Sequence, residues 1–88
     1  MAGNTRGKLK EHFEGIHRNM DWSLKHINTV LDLIAAQLMQ SNPEKYKLDD
    51  AEKAETVLME YPLYNGVKAL GTGIETLDEL ANKIYASL

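Results

Sequence analysis

The chain has 88 residues, enough for one domain or for part of a core shared between subunits. With 43% hydrophobic and 26% charged residues it has the make-up of a folded protein, and its net charge of −3 argues against broad, unspecific nucleic-acid binding. It has no cysteine, which excludes disulfides and thiolate metal sites, and no apolar run approaches the roughly 20 residues of a membrane span.

Residues 1–6 read as a flexible basic N-terminus without the apolar stretch of a signal peptide, so a cytoplasmic location is the default expectation. From about residue 7 to residue 40 an apolar stripe predicts one long helix. Leu9, Phe13, Ile16, Met20, Leu24, Ile27, Leu31, Ile34 and Leu38 follow one another at gaps of three or four. Such a helix is about 50 Å long, whereas a compact chain of this size has a radius of gyration of about 12 Å. Two consecutive gaps of four, at Met20-Leu24 and just before it, form a stutter in the heptad pattern. Ser41-Asn42-Pro43 ends the helix, because the residue before proline is pushed out of the α region.

Residues 41–50 form a connection. Asp49 with Glu52 reads as a capping box, with Asp50 also available, and predicts a helix over about 51–60. Pro62 restarts the chain. Beyond it, Val67, Leu70, Ile74, Leu77, Ala81, Ile84 and Leu88 alternate gaps of three and four. Thr72 with Glu75 reads as another capping box, which divides the stripe into helices over about 62–70 and 73–87, whereas the unbroken phase of the stripe through Gly71-Thr72-Gly73 favours one bent helix from Pro62 onward. Small residues at Ala69, Gly71 and Gly73 would let backbones approach closely there. The expected fold is all-α, with residues 7–88 as a single domain. A long first helix packs against an interrupted return arm, as a hairpin or three-helix bundle completed by oligomerisation.

Few constellations carry chemistry. Glu14-x-x-His17 has the spacing of a di-metal bundle ligand pair. Measured from the centre of the stripe, however, Glu14 lies roughly 125° away and His17 roughly 65°, which aims the carboxylate at solvent. His12, His17 and His26 are never four apart, so the two-histidine zinc pattern is absent. Neither a phosphate-binding glycine loop nor a nucleophile with its base is evident, and neither enzymatic activity nor a cofactor is expected. Arg6, Lys8 and Lys10 are a candidate anion site at a helix start; in a hairpin they would instead neighbour the C-terminal carboxylate.

Trp22 lies roughly 155° from the stripe, near the azimuths of Gly15 and Leu33, with Val30 at one flank. Tryptophan on the wet face of a helix suits a binding hot spot, unless the arm from Tyr61 to Tyr64 wraps over it. Gly15, Trp22, Val30, Leu33, Tyr61 and Tyr64 are therefore the candidate partner or oligomer surface. These features favour a small non-enzymatic interaction module, an adaptor, regulator or assembly subunit that binds itself and another protein. The alternatives are a nucleic-acid-associated regulator with a degenerate helix-turn-helix in 51–88, disfavoured by the few basic residues there, and a metal-binding bundle using Glu14 and His17.

Overall fold

The computed structural model describes residues 2–88, with the side chains of residues 2–4 left aside. It contains α1 (Ala2–Ser41), α2 (Pro43–Tyr46), α3 (Ala51–Met59) and α4 (Pro62–Ser87), and no strand among the described residues. No described helix is long and apolar enough to cross a membrane. The molecule measures 64 × 20 × 17 Å with a radius of gyration of 18.3 Å, well above the roughly 12 Å of a compact chain of this length. The expected all-α hairpin, with a long first helix and a return arm, is the fold observed.

Several boundaries move. The helix expected from residue 7 already includes Ala2 to Arg6, so the described part of the segment 1–6 is helical, while Met1 lies outside the described residues. The connection 41–50 is not wholly irregular, because Pro43 opens the short α2 at a first-turn position where its missing N–H costs nothing. Asp50, not Asp49, caps α3, its carboxylate accepting from the amides of Glu52 and Lys53 at 2.9 and 3.3 Å.

The return arm breaks only between α3 and α4, at Glu60–Tyr61. The interruption expected at Gly71-Thr72-Gly73 does not occur, and α4 runs through it with no residue at positive φ. Thr72 does not cap a new helix; its hydroxyl donates back to the Lys68 carbonyl at 3.2 Å. Of the three small residues, only Gly71 serves close approach. A Cβ there would meet Ile27 Cγ2 at 3.2 Å, while one at Gly73 would meet nothing within 4 Å and Ala69 is exposed. Close packing against α1 outweighs the glycine penalty of about 1 kcal/mol per residue.

The core is concentrated at the connected end. Ile27, Leu31 and Ile34 of α1 pack with Tyr46, Leu58 and Tyr64, flanked by Leu38, Met39, Val57, Val67 and Ile74. At the other end the two helices are tied by polar contacts. His17 Nδ1 lies 2.8 Å from Asp78 Oδ1, the Tyr85 hydroxyl donates to Glu14 at 2.9 Å, and Lys10 Nζ sits 6.0 Å from the centre of the Tyr85 ring.

Candidate interaction surface

The contacts between α1 and α4 fix which face of each helix looks inward. On α4 the inward row is Tyr64, Val67, Gly71, Ile74, Asp78, Ala81 and Tyr85, and on α1 it is Phe13, His17, Met20, Leu24, Ile27, Leu31, Ile34 and Leu38. Each residue step turns a helix by about 100°. The row one residue earlier therefore points sideways from the hairpin, and the row one residue later points to the opposite side. Because the helices run antiparallel, the two earlier rows emerge on the same broad side.

That side is apolar. On α4 the earlier row reads Leu63, Gly66, Leu70, Gly73, Leu77, Leu80 and Ile84, and every leucine and isoleucine in it is at least 40% exposed. On α1 the matching side contributes Leu9, Ile16, Val30 and Leu33, also at least 40% exposed, together with His12 and Gln37 near the ends and Asn19, Ser23 and His26 in the middle. Nine of the large exposed hydrophobic residues thus share one side. Together they leave open on the order of 600 Å² of apolar surface, the upper end of what a monomer normally shows.

The other side is polar and partly roofed. The later row of α4 is Asn65, Lys68, Thr72, Glu75, Glu79 and Asn82. Helix α3 packs here: Glu55 pairs with Lys68 at 3.3 Å and accepts from the Tyr64 hydroxyl at 3.1 Å, while Asn65 Nδ2 donates to the Met59 carbonyl at 2.9 Å. Burial, followed by the Glu55 carboxylate, holds the Tyr64 hydroxyl above its ordinary pKa of 10.0. The hydrogen bond to Glu14 raises that of Tyr85 in the same way. A groove of about 380 Å³ lies between Phe13, Glu14, His17, Arg18, Asn82 and Tyr85.

The residues singled out from sequence fall in different places. Val30 and Leu33 belong to the open side. Trp22 is 61% exposed and lies outside the open rows; its ring stacks on His26 at 6.1 Å, with Lys25 Nζ 5.3 Å from its centre. No wrap by Tyr61 to Tyr64 covers it. Gly15 lies one heptad before Trp22 on the same outer face of α1. Tyr61 is 36% exposed, but Tyr64 is a core residue at 6% and offers no contact surface, because Pro62 starts α4 in a phase that turns Tyr64 inward.

Glu14 is exposed, as its azimuth implies, and its carboxylate accepts from the Tyr85 hydroxyl of α4 at 2.9 Å. Glu14 and His17 each have a partner on α4, and no cluster of three metal-ligating residues occurs among the described residues. Arg6, Lys8 and Lys10 sit in the second and third turns of α1, past the first-turn amides, with Lys10 over Tyr85.

Sequence reasoning missed Leu80 and drew Leu70, Leu77 and Ile84 into one stripe with Val67, Ile74 and Ala81. The available signal was the run of sevens, Leu63-Leu70-Leu77-Ile84, running beside a second complete row. No protein-family model matches the chain, no curated protein resembles it in sequence, and no solved structure matches its fold.

Proposed function

We propose that this chain is a small non-enzymatic helical interaction module that works by covering the open apolar side of the α1–α4 hairpin. The observation that carries this reading is the gathering of nine exposed hydrophobic residues on one side, while the opposite side is polar. Leaving such a patch in water is costly, and patches of this size mark binding surfaces or aggregation liabilities. The outer face of α1 around Trp22 supplies a second, smaller contact, since an exposed indole is a frequent hot spot.

The test is a photo-crosslinking amino acid placed singly at position 70, on the open side, or at position 79, on the polar side, in the full chain within its native cells. Discrete adducts from 70, with none from 79, are expected. Equal, diffuse labelling from both positions would contradict the reading.

A further inference from the structure

We infer that the occupant of the open side is a second copy of this chain, packed so that α4 lies antiparallel on its own counterpart and the two hairpins form a four-helix bundle. This rests on the interaction-module reading above and names its partner. Area is the first argument. Homodimer interfaces are about 65% apolar, so roughly 600 Å² of apolar surface implies an interface of about 900 Å² per subunit. A stable interface needs about 800 Å² from each partner.

Geometry is the second. The open row of α4 is turned by about 100° from its inward row, close to the right angle between the two neighbours of a helix at a corner of a square bundle.

The third argument is self-complementarity. A twofold axis crossing α4 beside Gly73 sets Leu70 against Leu77 of the second copy and Leu63 against Ile84. The same axis brings Leu80 over the bare backbone at Gly66 and lets the two Gly73 positions meet. One patch thus serves both partners, as an isologous contact requires.

The middle of α1 selects this arrangement over the other face-to-face one. With an axis parallel to the helices, Asn19, Ser23 and His26 would lie on the partner's Leu70 and Leu77, burying polar groups against apolar ones. In the arrangement inferred here those polar residues face their own equivalents, and the all-apolar row of α4 faces itself.

The chain lacks cysteine, so one introduced thiol reports unambiguously. Gly73→Cys adds a side chain where nothing stands within 4 Å in the single copy. Under mild oxidation it should form a covalent dimer, because a disulfide needs Cα atoms within about 7 Å. Glu79→Cys, on the polar side, should not. Sedimentation equilibrium of the purified full chain should give twice the chain mass, and Leu70→Glu should weaken association at least tenfold while the chain stays helical.

A single-chain mass at every concentration tested would overturn the second copy as occupant, yet adducts from position 70 to a different protein would leave the module reading standing. A dimer in which Gly73→Cys forms no bridge would overturn the antiparallel α4 contact. That thiol test remains decisive if Leu70→Glu fails to fold.

Discussion

The two broad sides of the hairpin are built from the same helices yet differ in chemistry. One residue after the inward row of α4 come Lys68, Glu75 and Asn82; one residue before it come Leu63, Leu70, Leu77 and Ile84. The polar side is served within the chain, by α3 through Glu55 and by the ties at Tyr64 and Asn65. The apolar side has no cover of its own. An amphipathic helix that needed only to close a hairpin would carry one apolar stripe; α4 carries two, and the second is the one the proposed assembly would use.

The contrast predicts graded effects. Leu31 is 8% exposed in the core, so Leu31→Ala should cost about 2–5 kcal/mol of stability, read by urea unfolding. Leu70→Ala, measured at a dilution where single copies prevail, should cost less than about 0.5 kcal/mol. Equal losses at the two positions would erase the distinction between folding and assembly faces.

Two glycines sharpen it further. Gly71→Leu forces a side chain against Ile27 and should destabilise the hairpin by about 1–3 kcal/mol. Gly73→Ala, in open space on the apolar side, should instead stabilise the single copy by about 0.5–1 kcal/mol through helix propensity. Thermal melts of both variants at dilution check the opposite signs.

A smaller effect belongs to the polar side. Tyr64 and Tyr85 have folded-state pKa values above 10.0, so the folded chain holds their protons more tightly than the unfolded one. Their contribution is fully present below the unfolded value and is lost as pH rises through the folded values. Stability should therefore fall above about pH 10, and Tyr64→Phe should make that fall shallower in parallel denaturation series. Smallest of all, Trp22→Ala should change stability little, within about 0.5 kcal/mol, since the side chain is 61% exposed and its ring stacks on His26 of its own helix.

The all-α hairpin was legible because apolar periodicity survives over tens of residues and Pro43 and Pro62 punctuate it clearly. The division of labour within the stripes was harder to see. On α4, Val67, Ile74 and Ala81 point inward, whereas Leu70, Leu77 and Ile84, each three residues from one of them, lie on the open side. One stripe drawn through both rows hides that they are separate faces. The stripe on α1 likewise joins two faces, since Leu9 and Ile16 are exposed on the open side while Phe13, Met20, Leu24, Ile27 and Leu31 lie in the inward row. At Gly71-Thr72-Gly73 local cap chemistry favoured a break and the unbroken phase favoured continuity; the helix continues, with Gly71 set closely against Ile27.

The most direct test of an apolar side reserved for assembly is hydroxyl-radical footprinting of the native chain across a range of concentrations. Leu70 and Leu77 are 57% and 54% exposed in the single copy. The account predicts that both are oxidised slowly in concentrated protein and rapidly on dilution, while Lys68 and Glu79 on the polar side react at one rate throughout. Oxidation of Leu70 and Leu77 in proportion to that exposure at every concentration would contradict it.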